Sequence, residues 1–401
     1  MTRGIRRVLS PALLALTLLA VVLVAMPLGA GAHDPGAGLP WGAVNDDQVL
    51  RGRQLVLSRG CPDCHGGFPN PTADGYLAGY PGPGPTDTIG GFDQYAPNLT
   101  PDRETGIGRY TDRQLFNALR YGLRPKTSPD VEVTSAIPGQ GNHPSSPDYL
   151  GPVMPWVSWR YLSDQELWDI IAYLRRGVRP VQRMVQASEA PPDHWVEFYN
   201  TIQAGGPTLP PFPTSAEELR APERRAEVLR GRQVVASAAC GLCHGGVIHP
   251  GQPGWLIGHT PERPDLEFQI GPFKTRPRNL TPDNITGLGR FSERQIFNAL
   301  RFGLRPGETA DVEITSTVPG QGNHPMSPKY MAIPMPWPAW RHMSDADLRA
   351  VAAYLKYGLK PVRNLVADSE GPPDFWASEY TNDKVGSWPA PPFPAARERN
   401  P

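Results

Sequence analysis

The longest apolar stretch of the chain runs from Val8 to about Leu28, behind Arg3, Arg6 and Arg7. Beyond it no segment sustains the period-two alternation of a half-buried strand, so few strands are expected. Helix-start signals punctuate the rest. Asn45 with Gln48 opens a helix to about Ser58, Thr111 with Gln114 one that stops at Gly122, and Ser163 with Glu166 one that stops at Gly177. Ser292 with Gln295 and Ser344 with Asp347 repeat the last two starts. The pattern predicts an all-α fold, three or four helices in each half. The loops from Gly66 to Pro97 and from Pro125 to Val153 are each about thirty residues, a length that usually surrounds something functional.

The halves are a tandem duplication. Arg51-Gly52-Arg53-Gln54 returns as Arg230-Gly231-Arg232-Gln233, and Asn98-Leu99-Thr100-Pro101-Asp102 returns at Asn279 to Asp283. Gly139-Gln140-Gly141-Asn142-His143-Pro144 returns at Gly320 to Pro325, and Pro211-Phe212-Pro213 at Pro392-Phe393-Pro394. A repeat this long is a domain rather than a solenoid unit. The expected organisation is a first domain over 41–203, a Pro/Gly-rich linker over 204–219 and a second domain over 220–395, both with long irregular loops. Gly52 and Gly231 lie inside the first helix of each domain. Glycine there costs about 1 kcal/mol against alanine, so close helix contact is expected, with Tyr173 and Tyr354 as partners.

The apolar stretch has its own consequence. A basic start, an apolar run and the small residues Ala30-Gly31-Ala32 predict a signal peptide over 1–32. The other reading is an uncleaved membrane anchor, although Pro11 and Pro27 interrupt the run. Either way the bulk of the protein is expected outside the cytoplasm. Of 401 residues, 39 are basic and 39 acidic. Without the first 32 residues, 36 basic residues face 39 acidic ones, a net charge of −3 that gives no sign of a nucleic-acid partner.

All four cysteines fall in two matching segments, Cys61-Pro62-Asp63-Cys64-His65 and Cys240-Gly241-Leu242-Cys243-His244. Two thiols three positions apart with a histidine directly behind are what covalent haem attachment requires. The thiols add to the porphyrin vinyl groups, and the imidazole becomes the proximal ligand of the iron. A zinc ribbon wants its cysteine pairs closer together, a redox dithiol wants a βαβ setting, and a disulfide leaves the histidines unexplained. Two covalently bound haem c groups are expected. A distal ligand needed twice should occur at matched positions. Of the eight methionines only Met154 and Met335 match, and each precedes a proline that favours an extended backbone. One histidine pair matches as well, His143 and His324, and would give bis-histidine haems of lower potential.

At these residues the chain resembles a duplicated class I-type c-type cytochrome. More narrowly it is similar to the cytochrome c subunits of extracytoplasmic alcohol and sugar-acid dehydrogenases. The segments carrying that likeness run from Asn98 to Arg109, from Met154 to Trp156 and on through Leu162 to Leu174, with counterparts at Asn279 to Arg290, Met335 to Trp337 and Ser344 to Leu355. The resemblance implies His65 and His244 as proximal ligands and Met154 and Met335 as distal ligands. It also implies an electron relay, not an enzyme, between a redox-protein or dehydrogenase donor and a cytochrome- or oxidase-type acceptor. Those subunits typically carry three haem motifs; two are present here. The competing functions are a dihaem peroxidase, which needs one open iron and hence unequal domains, and a fixed electron-transfer subunit of a membrane-associated dehydrogenase complex.

Overall fold

The computed structural model describes residues 46–68, 70–89, 91–188, 195–196, 199, 207–246, 249–370 and 375–399. The expected signal segment 1–32, the helix cap at Asn45 and residues 200–206 lie outside the described residues.

The fold is mainly helical, and its elements come twice. The first half contains α1 (Asp46–Ser58), α2 (Cys61–His65), the hairpin β1 (Asp87–Ile89) and β2 (Phe92–Gln94), α3 (Asp112–Tyr121), α4 (Trp156–Trp159) and α5 (Asp164–Ala172). The second contains α6 (Arg225–Ser237), α7 (Cys240–His244), β3 (Phe268–Ile270) and β4 (Phe273–Thr275), α8 (Glu293–Phe302), α9 (Trp337–Trp340) and α10 (Asp345–Tyr357). The caps read from sequence are formed. Thr111, Ser163 and Ser292 each close a reciprocal capping box with Gln114, Glu166 and Gln295, and Ser344 accepts from the Asp347 amide. Gly122, left-handed at φ 70°, ends α3. The third helix does not run as one regular element to Gly177: after Ala172 the chain continues as a wider π turn over Tyr173–Gly177.

The first and last helices of each half cross at the glycine. A Cβ on Gly52 would overlap the Asp169 carbonyl and lie 2.8 Å from Tyr173 Cβ. One on Gly231 would meet the Ala350 carbonyl and lie 2.8 Å from Tyr354 Cβ. This contact brings the two tyrosines into the cores. One buried apolar cluster joins α1, α5 and Cys61, and another joins α6, α10, Trp255 and Trp340.

The segments behind each half dock crosswise. Glu217, which follows the first half, lies fully buried in the second, where Arg232 binds it through Nε at 2.6 Å and Nη2 at 3.0 Å. Tyr354 donates to the same carboxylate at 2.6 Å. Glu398, near the end of the chain, occupies the same place in the first half. Arg53 Nε binds it at 2.6 Å, and Tyr173 donates to it. Phe212 and Phe393 travel with these acids and pack on the cores that receive them.

The arrangement predicts that the chain end is part of the first half's stability. Glu398→Ala strands the Arg53 guanidinium in the interior, which should lower stability by on the order of 3–5 kcal/mol. Urea unfolding followed by circular dichroism would show the loss. A double change that also makes Arg53→Met should recover part of it, because no unpaired charge is left buried. An unchanged urea midpoint for Glu398→Ala would refute the docking.

Candidate haem-attachment sites

Each Cys-x-x-Cys-His segment is a single helical turn, α2 or α7, entered through a left-handed residue: Gly60 at φ 68° and Ala239 at φ 63°. The Gly-Gly that follows has positive φ as well, 89° and 85° at Gly66 and Gly67, 97° and 81° at Gly245 and Gly246. Only glycine enters that region without strain. The chain there folds back beneath the turn, so that Gly79 donates to the His65 carbonyl and Gly258 to the His244 carbonyl, both at 2.8 Å.

The imidazoles are fixed from outside the turn. His65 Nδ1 lies 2.7 Å from the Pro97 carbonyl oxygen, and His244 Nδ1 lies 2.7 Å from that of Arg278. A carbonyl only accepts, so Nδ1 carries the proton and Nε2 keeps its lone pair for a metal. Burial pushes both imidazoles down to about 4, against the weaker opposing effect of the carbonyl, so they are neutral near pH 7. Burial likewise pushes the Cys61 and Cys240 thiols up to about 12. All four cysteines are free of disulfides.

The residue after each carbonyl is the asparagine of the Asn-Leu-Thr-Pro-Asp segment, and it is a clamp. Asn98 Oδ1 accepts from the Thr100 amide at 2.9 Å and hydroxyl at 2.8 Å, while its Nδ2 donates to the Val181 carbonyl at 2.7 Å. Thr100 Oγ1 accepts in turn from the Val181 amide at 3.0 Å. Asp102 closes the loop by accepting from the Thr105 amide at 2.6 Å and hydroxyl at 2.7 Å, which hold its carboxyl below the usual range. Asn279, Thr281, Asp283 and Thr286 repeat these bonds, with Val362 in place of Val181. The sequence marked this segment only as a repeated string and as part of a likeness. Its work is to tie the carbonyl-bearing loop to the strap that leaves the last helix.

The two candidate distal pairs are placed differently. Met154 packs against the apolar cluster that contains Cys61, and Met335 against the one that receives Cys240. A cavity of about 450 Å3 in the second half is lined by Cys240, Cys243, His244, Leu280, Met335 and Trp340 among others. That is within the usual range for small-ligand and cofactor sites. His324 is not part of its lining. His143 and His324 are buried elsewhere, edge-on to Tyr121 and Phe302 with ring centroids 6.1 Å away in both cases. Their Nδ1 atoms lie 3.2 and 3.3 Å from the carbonyls of Pro144 and Pro325. Among the described residues no group of three or more His, Cys, Asp or Glu side chains could hold a bare metal ion. Free thiols in pairs, an oriented imidazole and an apolar cavity with a thioether in its wall fit a covalently attached haem. The hairpins were not foreseen from sequence; Phe268 and Thr275 of the second one help to wall the cavity. Their strands are three residues each, too short for alternation to show.

Relatives with known names align over most of the chain at modest identity. The gluconate 2-dehydrogenase cytochrome c subunit of Pantoea cypripedii is 27% identical over 355 residues, 85% of this chain and 64% of that subunit. The cytochrome c subunit of the quinone-dependent alcohol dehydrogenase of Komagataeibacter europaeus is 26% identical over 324 residues, 78% of this chain and 56% of it. A diheme c-type cytochrome of Cereibacter sphaeroides is 28% identical over 322 residues, 77% of this chain and 85% of its own length. The chain thus spans less than two thirds of these dehydrogenase subunits. No protein-family model matches it. Cytochrome c relatives along most of the sequence are consistent with an electron-transfer cytochrome.

The clamp can be tested apart from the cofactor. Asn98→Ala leaves the Thr100 amide unpaired, worth about 1–3 kcal/mol when buried, and leaves the Val181 carbonyl with the Thr100 hydroxyl in place of two donors. Hydrogen exchange should quicken around residues 98–105 and 178–185 while α3 keeps its protection. Unaltered exchange in both segments would show that the asparagine does not hold the strap.

Proposed function

We propose that the chain is an extracytoplasmic dihaem c-type cytochrome that carries electrons and is not itself an enzyme. In this reading 41–203 and 220–395 are tandem cytochrome c domains joined by 204–219. Cys61 and Cys64 hold one haem and Cys240 and Cys243 the other. His65 and His244 are the proximal ligands, and Met154 and Met335 the distal ones. The observation that carries the reading is the second-half cavity, which is lined by both thiols, the oriented His244 and Met335.

A bound haem supplies one-electron exchange at its iron. The protein's part is to keep its ligands still. The carbonyl of Pro97 or Arg278 fixes the imidazole plane, the Asn98 or Asn279 clamp fixes that carbonyl, and the apolar cluster keeps water from the ring. Matched methionines support two closed sites over the peroxidase reading, which needs one site to open. The relatives named above favour a dehydrogenase as electron donor, either encountered freely or as a partner in a membrane-associated complex. A cytochrome- or oxidase-type protein is then the acceptor. Among the described residues no helix is long and apolar enough to cross a membrane, and in this reading the N-terminal segment is a site of membrane association.

The mature protein should exceed its polypeptide mass by two haem units after acid–acetone extraction; one unit or none would overturn the cysteine assignment. The oxidised protein should show the weak far-red absorbance of a thioether–iron bond. Met154→Ala and Met335→Ala should each remove about half of that band, and each should lower one potential and open one iron to carbon monoxide. His143→Ala with His324→Ala should leave it in place. A five-coordinate double-histidine variant beside a six-coordinate double-methionine variant would reverse the ligand assignment and leave a low-potential carrier.

A further inference from the structure

The repeats differ in charge just before and within the attachment turns. Arg59 lies two residues before Cys61, and Ala238 holds the matching place before Cys240. Asp63 stands inside the first turn where the second has Leu242. Arg59 does not stay with its own half. Its Nη2 donates to Ser237 Oγ at 3.0 Å, and Ser237 is a fully buried residue three positions before Cys240. Its Nε is buried without a partner. The next residue, Gly60, faces Ala339 of α9 at 3.5 Å from a Cβ built on it, and Leu242 packs among Tyr149, Trp156 and Val157 of the first half. The segments leading into the two attachment turns therefore meet across the junction of the halves, and the Arg59 guanidinium acts on both Cys61 and Cys240.

We propose that Arg59 makes the two haem sites unequal and holds the second at the higher reduction potential. The inference rests on the haem reading above. An iron becomes more positive on oxidation, so a fixed positive charge beside it disfavours the oxidised state, more strongly where water is excluded. At the second site no acid within the turn opposes Arg59, because Leu242 is apolar. At the first site the Asp63 carboxyl, 3.0 Å from a Cβ built on Gly60, stands inside the turn and acts on Cys61 in the sense opposite to Arg59. Glu166 and Asp347 are the other acids of the junction, and Arg230 binds both, at 2.9 and 2.7 Å. Neither forms a hydrogen bond with Arg59, whose guanidinium reaches Ser237 instead. Electrons entering at the first haem would therefore pass downhill to the second. Arg59 acts here as a positioning charge and touches neither donor nor acceptor.

The test is a spectroelectrochemical titration of the full-length holoprotein, after mass measurement has established the haem count. Met335→His assigns the second site as the wave that drops. The wild-type protein should show that wave as the upper of two. Arg59→Met should lower it more than its neighbour and narrow the gap, while Arg59→Lys should keep most of the gap. Should Arg59→Met fail to fold, Ser237→Ala carries the same test, because it releases the guanidinium from the second site and should narrow the gap in the same sense. Two haems with an unchanged gap, or a larger shift in the lower wave, would overturn this inference alone. A protein without covalent haem would overturn the haem reading and this inference with it.

Discussion

A carbonyl oxygen 2.7 Å from an imidazole nitrogen decides, in each half, which side of the histidine is free to bind a metal. That single contact sets demands on residues far from the Cys-x-x-Cys-His turn. The carbonyl must arrive from a loop about thirty residues on, so the loop has to be held to a fraction of an ångström with only a hairpin of three-residue strands inside it. Asn98 and Asn279 meet that demand with side-chain bonds that imitate backbone pairing, and they tie the loop to the straps at Val181 and Val362. The straps leave the last helix of each half, which is seated by the glycine crossing at Gly52 or Gly231. A chain of contacts therefore runs from helix packing to the orientation of one ring.

Much of this chain could be read from the residues, because its parts have local signatures. Capping boxes are written in four consecutive residues, and the left-handed stop at Gly122 needs only a glycine. The approach of Tyr173 to Gly52 was legible because a glycine inside a helix has few other uses. The duplication sharpened the rest, since a side chain needed twice must occur twice. What could not be read depends on where distant segments land. Nothing near Glu398 says that it will lie against Arg53, 345 residues earlier. The asparagine clamp was visible as a repeated string, but its meaning comes from the Val181 strap, 83 residues later.

The crosswise docking also bears on how the halves depend on one another. Glu217 and Glu398 each satisfy an arginine and a tyrosine that would otherwise be buried with polar groups unpaired. Each acid comes from the segment behind the other half. Neither core is thus complete from its own repeat. The tyrosines lead inward: Tyr173 meets Tyr76 hydroxyl to hydroxyl at 3.0 Å, and Trp255 donates to Tyr354 at 2.9 Å. Tyr76 and Trp255 sit in the loops that fold back under the glycine pairs, so the exchanged acids brace the floor of the attachment turns.

A duplicated protein with two identical sites would have no internal direction for an electron to follow. Here the backbone interactions that orient the histidines are repeated almost bond for bond, while the charges beside the turns differ. Arg59 against Ala238 and Asp63 against Leu242 alter the field at the turns and leave the His65 and His244 carbonyl contacts at the same distance. Geometry is the costly quantity to keep, since a displaced ligand loses the metal. A surface or junction charge can change with little effect on packing and still shift a redox equilibrium. On the proposed reading, such a change of charge is how one fold, used twice, would acquire a difference in potential between its two halves.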